Sequence, residues 1–271
     1  AAEGETEAAA EAADGDVAPI EGVDVASRSS DAAPAWQEYN NLIQQIKTTT
    51  DLDEREAMMH QAEDMLMETG AIVPLYYYND IYLQKENVTG IYSNNYGFKY
   101  FMFADTGYST TLRLNLASEP DKLDPALNTT VDGACLVVNS FNGLCTYDEN
   151  GEIAMDFADS YEASEDGLTY TFTMKDGLKW SDGSELTAKD FAYSWNRAAS
   201  AETGAYYAYM FDPIARKADG TLDIEASEDG KTFTVKLGAP CAYFLDLCAF
   251  PAFYTVPQAS VEAAEGWQEN P

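Results

Sequence analysis

A segment that occurs twice in almost the same form limits what this chain can fold into. The two copies are EASEDGLTYTFTMK at 162–175 and EASEDGKTFTVKL at 225–237. Each contains an Asp-Gly pair, which favours a tight hairpin turn, followed by Thr alternating with aromatic or aliphatic residues. The alternation predicts strands with one solvated face. We therefore expect two similar hairpins in one antiparallel sheet, and the repeat is too short and isolated for a solenoid.

Apolar residues at helical spacing predict four helices around these hairpins. The first begins near Trp36 and ends at the Thr run at 48–50. The second begins after Asp51, a plausible N-cap with Glu54 three residues on, and ends near Gly70. Two further helices are predicted over 131–141 and over 187–199.

Two other stretches have the composition of strands. Residues 72–78 are β-formers with Pro74 near their start, and 81–83 resume the extended pattern after an Asn-Asp turn. In TLRLNLA at 111–117, Leu alternates with polar residues, which predicts a half-buried strand. Together with the helices, these strands predict an α+β fold with mixed sheets and packed helices.

Charge excludes several classes of partner. The chain has 47 acidic against 15 basic residues and a formal net charge of -32. Nucleic acid and anionic lipid surfaces both require a basic surface, so neither is an expected partner. No apolar run reaches the roughly 20 residues of a membrane span, and no signal-peptide pattern is present. Residues 1–34 are acidic and predict a disordered linker, either an ordinary terminus or a spacer to a surface anchor.

No catalytic, metal or cofactor site is predicted. The single histidine, His60, lies on the second helix, and the common nucleophile, zinc and phosphate-loop motifs are absent. The four cysteines, Cys135, Cys145, Cys241 and Cys248, show no metal spacing. We expect them to be buried free thiols, and one disulfide among them is the alternative.

Five segments are distinctive: LNLASEPDKLDPA at 114–126, FNGLCTYDENGE at 141–152, DGLTYTFTMKDGLKWSDGSELTAKDFAYSWNRA at 166–198, AYYAYMFDPI at 205–214 and YFLDLCAFPAFYTVP at 243–257. These segments resemble the oligopeptide/dipeptide-binding receptors of ABC importers, the family 5 extracellular solute-binding proteins. The part before Thr111 is similar to the C-terminal end of that family, and the part after it to the N-terminal third. The middle of the family is absent. A circular permutant and a fragment or gene-junction product both explain this order, and we favour the first.

The resemblance implies lobes of the periplasmic-binding-protein-like type II, peptide-binding class, partial or permuted. On this basis residues 1–34 are a linker and 35–130 are part of a large lobe, in which the C-terminal end of the family precedes its first strand. Residues 131–271 are a small β-rich lobe with two hairpins and a return segment. Without this resemblance, the sequence pattern predicts only that the fold belongs to the α+β class.

The resemblance also implies a function and a site. Members of the family hold an extended peptide between two hinged lobes and deliver it to a membrane permease. Carried over to this chain, the ligand contacts are Glu119 and Asp121 in the loop after the first strand, Tyr78 at the end of the Tyr-rich strand, and Tyr206. The implied location is the outer face of the cytoplasmic membrane, by a lipid anchor, or the periplasm. The receptor is expected to be a monomer. Because the part of the family that forms most of the second lobe is absent, we expect this chain to bind peptides weakly or undetectably.

Other functions remain open at this point. One is a surface interaction or adhesion module that keeps the fold without transport, and an exposed apolar patch would favour it. Others are family relatives that bind nickel complexes or oligosaccharides. A hydrolase has no support in the sequence beyond its many carboxylates.

Overall fold

The computed structural model describes residues 36–120, 122–263 and 267. The helices are α1 (Trp36–Thr48), α2 (Leu52–Glu68), α3 (Val131–Val137), α4 (Ala188–Ala199), α5 (Phe244–Ala249) and α6 (Gln258–Ala263). The strands are β1 (Tyr92–Ser93), β2 (Lys99–Tyr100), β3 (Cys145–Tyr147), β4 (Ile153–Met155), β5 (Ala158–Ala163), β6 (Thr169–Met174), β7 (Ile224–Ala226) and β8 (Thr232–Lys236). Short 3-10 helices cover Tyr206–Phe211 and Pro251–Phe253.

The repeated segment forms two hairpins of one antiparallel sheet, as predicted. The strand order is β5-β6-β8-β7, so β6 and β8 pair at the centre. Thr171 pairs with Thr234, and these two residues occupy the same place in the two copies. The hairpins are therefore related by a local two-fold axis between these threonines. Each turn places its glycine at positive φ, 67° at Gly167 and 70° at Gly230.

Helix α4 covers one face of this sheet and carries the centre of the core. Trp195 is completely buried, and its ring lies 5.0 Å from the rings of both Phe233 and Phe253. Its indole Nε1 donates to the carbonyl of Phe253 at 2.8 Å, so the one polar atom of the ring is satisfied. Thr187 and Asp190 form a capping box at the start of the helix, as the sequence TAKD allows.

Helices α1 and α2 form a separate hairpin with a small core of its own. Leu42, Ile46 and Ala62 are its buried residues. The side chain of Asp51 accepts the Glu54 amide at 2.9 Å, which confirms the predicted N-cap. The Arg55 guanidinium lies 5.0 Å from the centre of the Tyr243 ring, a cation–π contact between this hairpin and the segment before α5.

Two predicted strands do not form, so those predictions were wrong. Residues 72–83 have no regular structure, and nine large apolar side chains there are exposed: Ile72, Val73, Leu75, Tyr76, Tyr77, Tyr78, Ile81, Tyr82 and Leu83. Residues 111–117 also lack strand structure, and Leu114 is exposed. A strand requires a neighbour for its main-chain groups, and within the described residues neither segment has one.

The main core crosses the predicted boundary at residue 130. Phe98, Tyr100 and Ala126 are buried in the same cluster as Trp195 and its neighbours. The predicted linker, 1–34, lies outside the described residues. All four cysteines are buried, as expected, and the structure shows them unbridged. In the described part of the chain, none of the helices has the length and apolar character needed to cross a membrane.

Candidate functional site

A shallow concavity with aromatic walls, here called the aromatic groove, lies beside α3 and has a volume of about 160 Å³. Four separate parts of the chain form it: the β1–β2 turn, the loop and first turn of α3, the segment with Tyr207 and the segment with Phe250. Its lining consists of Tyr96, Phe98, Asn128, Thr129, Thr130, Val131, Ala134, Tyr207, Phe250 and Pro251.

The first wall is shaped by Asn94 in the β1–β2 turn. Its side-chain Oδ1 accepts the amides of Tyr96 and Phe98, each at 3.1 Å. Gly97 completes the turn at a φ of 81°, in the left-handed region that glycine adopts without strain. The sequence NNYGF thus forms a turn that presents two aromatic side chains on the groove.

The second wall is the loop that enters α3. Thr130 is the N-cap, and its hydroxyl accepts the Gly133 amide at 3.1 Å. The side-chain amide of Asn128 donates through Nδ2 to the main-chain carbonyl of Lys122 at 2.9 Å, which fixes the conformation of the loop. A Cβ at Gly133 would lie 1.7 Å from that amide nitrogen, so only glycine fits there. This wall offers polar side chains to a ligand.

The third wall consists of the Tyr207 and Phe250 rings. Their centres are 5.3 Å apart and nearly perpendicular. Phe250 also contacts Phe98 at 6.0 Å and Tyr96 at 5.9 Å, which joins the first and third walls. Such edge-to-face contacts fix ring positions beyond what burial alone does.

The groove offers binding surface and no acid–base chemistry. Behind Tyr96, the hydroxyl of Tyr147 donates to Asp246 Oδ1 at 3.4 Å, and burial, followed by the nearby Tyr96, raises the pKa of the Tyr147 phenol. That phenol stays neutral at physiological pH. No group of three or more His, Cys, Asp or Glu side chains among residues 36–120, 122–263 and 267 is arranged for a metal ion. Flat apolar faces edged by hydroxyl and amide groups suit non-covalent binding.

The predicted ligand residue Tyr206 lies at the rim of the aromatic groove. Its ring centre is 5.4 Å from that of Tyr207, and the residue is 73% exposed. It does not line the concavity itself, and an aromatic side chain at a rim can still contact a ligand that rests on the groove.

The predicted residues Glu119 and Tyr78 are exposed, and neither lines the groove. Each belongs to a segment tied to one wall. Ser118, next to Glu119, donates its hydroxyl to Asp132 in the first turn of α3. Asp80, two residues after Tyr78, forms an ion pair with Lys99, which follows Phe98. Asp121 lies outside the described residues.

None of the ten residues that line the groove was among the predicted ligand contacts; Tyr96, Phe98, Thr130 and Phe250 form much of its walls. The turn sequence NNYGF was a usable signal, because Asn-Asn and Gly favour a tight turn that exposes its side chains. Phe250 gave no such signal, since an aromatic residue in an apolar run is more often part of the core.

A larger concavity of about 400 Å³ lies on the other side of α3, with Trp180 and Trp267 in its wall. Trp267 is flanked on both sides by residues outside the described part of the chain. The aromatic groove is therefore the better-defined candidate, and it is the one adjoined by Tyr206.

Part of the chain is similar to known proteins. Residues 152–271 match the bacterial extracellular solute-binding proteins, family 5, middle region. A dipeptide-binding protein of Lactococcus lactis subsp. cremoris is 37% identical over 165 residues, which cover 58% of this chain and 30% of the relative. The oligopeptide-binding protein OppA of Bacillus subtilis is 37% identical over 175 residues, covering 61% of this chain and 32% of the relative. The chain thus spans about a third of the length of these curated relatives.

Solved structures agree with the sequence matches. Listeria monocytogenes OppA bound to peptide superposes with a TM-score of 0.54 at 31% identity, over 58% of this chain and 33% of that one. Haemophilus influenzae OppA in complex with the peptide RPPGFSPFR gives 0.53 at 28% identity, over 56% and 31%. The predicted α+β fold of the periplasmic-binding-protein-like, peptide-binding class is confirmed over this shared part. Residues 152–271 of the chain are therefore similar to the middle region of the family 5 bacterial extracellular solute-binding proteins.

Proposed function

We propose that this chain is part of a non-enzymatic receptor that binds extended peptides outside the cytoplasm and delivers them to the permease of an ABC importer. The observation that carries the proposal is the aromatic groove beside Tyr206, which has binding surface and no acid–base or nucleophilic pair. Its support from relatives is that they are named dipeptide- and oligopeptide-binding proteins, and two matched structures hold peptides.

In this proposal the groove receives a side chain of the peptide, and the surrounding loops contact the peptide main chain. Tyr206 at the rim offers a flat apolar face and a hydroxyl at low entropic cost. Glu119, Asp121 and Tyr78 contact the ligand from the two segments that adjoin α3 and β2. Main-chain recognition with roomy side-chain pockets would allow peptides of varied sequence.

The location and domain arrangement follow from the same proposal. Relatives are named as periplasmic proteins, and residues 1–34 would be a spacer that leads to a lipid anchor. Residues 35–130 would be part of a large lobe and 131–271 a small lobe, with Phe98, Tyr100 and Ala126 of the first range packed into the core of the second. The receptor would be a monomer. Its segments would be circularly permuted, with those similar to the C-terminal end of the family before those similar to its N-terminal third. Because it spans about a third of its relatives, we expect it to bind peptides weakly by itself.

A chimeric receptor tests the proposed function. The segment of Bacillus subtilis OppA matched by this chain is replaced with the corresponding residues of the chain, and tri- and tetrapeptide binding is measured by calorimetry. We expect binding, and we expect Y206A in the chimera to weaken it about tenfold, because a rim tyrosine lost from a ligand contact costs of order 1 kcal/mol. Y161A on strand β5, away from the groove, is the matched control and leaves affinity unchanged.

The same chimera separates the ligand classes. One relative, at 34% identity over 54% of this chain, is named a probable deoxycholate-binding periplasmic protein. Deoxycholate, a nickel chelate and an oligosaccharide are therefore included as alternative ligands. A folded chimera that binds one of these and no peptide would contradict the proposed ligand class.

A second candidate function rests on the exposed apolar side chains of residues 72–83. Soluble monomers rarely leave so many large apolar side chains contiguous in solvent, and such patches mark interaction surfaces. A surface interaction module would use this segment without transport. If the chimera binds no small ligand at all, this second function is the one that remains.

A further inference from the structure

Two of the four cysteines meet in the core between strand β3 and helix α5. Cys145 is the first residue of β3, Cys248 lies near the end of α5, and neither has any exposed surface. Both belong to the same buried cluster, and burial, followed by the neighbouring Cys145 thiol, raises the pKa of Cys248. Nothing in the proposed peptide site uses these two groups.

The main chains also approach each other closely at this place. A Cβ added at Gly143 would lie 2.7 Å from the carbonyl oxygen of Cys248. The end of α5 therefore lies against the chain just before β3 at main-chain distance. A disulfide needs two Cα atoms about 4.4–6.8 Å apart, which only such close approaches of two segments provide.

We propose that Cys145 and Cys248 form a disulfide when the chain folds in an oxidising compartment. Curated relatives are named as periplasmic proteins, and the periplasm is a compartment in which disulfides form and persist. The bridge would join β3 to α5 across the core and close a loop of about a hundred residues.

The chemistry requires an oxidant, and a small-molecule or protein disulfide supplies it. One cysteine thiolate attacks a sulfur of that oxidant, gives a mixed disulfide and releases the first thiol. The second cysteine then attacks the mixed disulfide, forms the Cys145–Cys248 bond and releases the second thiol. The two cysteines lose two electrons and two protons in total, and the oxidant is reduced to two thiols.

The bridge has to form during folding. In the folded chain both thiols lie inside the core, and burial raises the pKa of Cys248. A buried neutral thiol is neither accessible nor reactive toward an oxidant. During folding the same thiols are still solvated, and the approach of α5 to β3 selects this pair.

The other two cysteines lie outside β3 and α5. Cys241 precedes α5, and the thiol of Cys135 on α3 faces the Gly97 carbonyl at 3.8 Å. The proposed bridge also bears on the aromatic groove, because Phe250 follows Cys248 by two residues. Tying α5 to β3 would hold this groove wall in place.

Refolding in a redox buffer tests the proposal on the unaltered chain. The protein is refolded in mixed reduced and oxidised glutathione, free thiols are alkylated, and the product is digested with chymotrypsin for mass spectrometry. Trypsin alone would leave Cys135 and Cys145 on one peptide, since no Lys or Arg lies between Lys122 and Lys175. We expect one cross-linked pair containing Cys145 and Cys248, two hydrogen atoms lighter than its reduced form.

A second measurement gives the effect on stability. The bridged protein should unfold roughly 5–15 °C above the same protein refolded with a reductant. C135A is the control: it keeps both the bridge and the difference in Tm, whereas C145A abolishes both. A refolded monomer with four alkylated cysteines, or with Cys241 in the bridge, would overturn the proposal.

Discussion

At the scale of single residues, one ion pair holds the entry to α3. Asp124 is fully buried, and both of its carboxylate oxygens accept from the guanidinium of Arg197, one of them at 3.1 Å. Asp124 also accepts the Ala126 amide at 2.9 Å, and Arg197 packs over the Trp267 ring. The pair thus links α4 to the loop that leads into the aromatic groove.

We predict that R197M lowers the free energy of unfolding by about 3–5 kcal/mol, because it leaves the Asp124 charge buried without a partner. Urea unfolding at neutral pH measures the change. K231M, which removes the exposed ion pair between Lys231 and Asp176, is the matched control and leaves stability nearly unchanged. Equal effects of the two substitutions would contradict the role assigned to burial.

A second residue gives the protein a predictable response to pH. Asp156 is half-buried, and this burial raises the pKa of its carboxyl above the ordinary value, although the Asn142 side-chain amide at 2.8 Å opposes the shift. A carboxyl whose pKa is higher in the folded state favours folding when protonated. This contribution is complete below the unfolded pKa and is lost as pH rises through the folded pKa.

We therefore expect D156N to stabilise the protein relative to the wild type increasingly as pH rises from about 4 toward neutrality, and to level off above the folded pKa. The measurement is the difference in unfolding free energy between the two proteins, taken from urea curves across that range. A difference that stays constant with pH would show that Asp156 ionises alike in both states.

At the scale of elements, the two hairpins share sequence and register and differ in surroundings. Both turn glycines adopt positive φ, but a Cβ at Gly230 would lie 2.8 Å from Thr187 Cβ, the N-cap of α4. At Gly167 the nearest atom is Pro240 Cβ at 3.9 Å. The second turn is therefore packed against a helix start, and the first is open.

This matched pair predicts unequal costs for the same substitution. G167A should cost about 1–2 kcal/mol, the backbone penalty of a left-handed conformation. G230A should cost at least 1 kcal/mol more, because overpacking against Thr187 is added. Chemical unfolding of both variants measures the costs, and equal values would mean that the α4 N-terminus moves aside freely.

The second feature at this scale is the exposed segment at 72–83. None of its main-chain groups is hydrogen-bonded to another main-chain group of the described chain, the Tyr77 carbonyl accepts only the Asn79 side chain at 3.5 Å, and Tyr77 is 95% exposed. Few contacts and free main-chain groups characterise regions of low local stability. The segment has the composition of a strand and lacks a sheet to join.

We predict that brief treatment with chymotrypsin cleaves the chain first within 72–83, before any bond in 145–256. The expected fragments identify cleavage after Tyr76, Tyr77, Tyr78, Tyr82 or Leu83. Phe172, Trp195 and Phe253, which are fully buried, serve as internal controls in the same digest. Early cleavage at these residues would contradict the packing described for the core.

At the scale of the whole molecule, the large negative net charge affects stability through repulsion between carboxylates. With a formal charge of -32, the folded chain brings together many carboxylates that repel one another. Most of the carboxylates in the described residues are exposed or half-buried, so dissolved ions screen them: the Debye length falls from about 30 Å at 0.01 M salt to about 3 Å at 1 M.

We therefore expect Tm to rise between about 0.01 M and 0.5 M sodium chloride, because screening weakens repulsion that the unfolded chain relieves by expansion. Differential scanning calorimetry gives the shift, and choline chloride at the same ionic strength should reproduce it. A Tm that falls with salt would mean that favourable ion pairs, such as Arg197 with Asp124, outweigh the repulsion.

Local patterns in the sequence determined the helices and hairpins, in which each main-chain hydrogen bond joins residues that are close in the sequence. Helices α1, α2 and α4 and the two hairpins follow from spacing, caps and Asp-Gly turns, since their partners lie a few residues away. The burial of the four cysteines followed from residue type. These predictions required no knowledge of distant parts of the chain.

Only the tertiary structure decided whether an extended segment became a strand and which side chains met in the aromatic groove. Residues 72–83 and 111–117 have strand composition, but a strand forms only where another chain segment receives its main-chain groups. Phe98, Thr130, Tyr207 and Phe250 come from four separate segments, and the packing of α3, α5 and the β1–β2 turn brings them together. Sequence proximity carries no information about contacts between such distant residues.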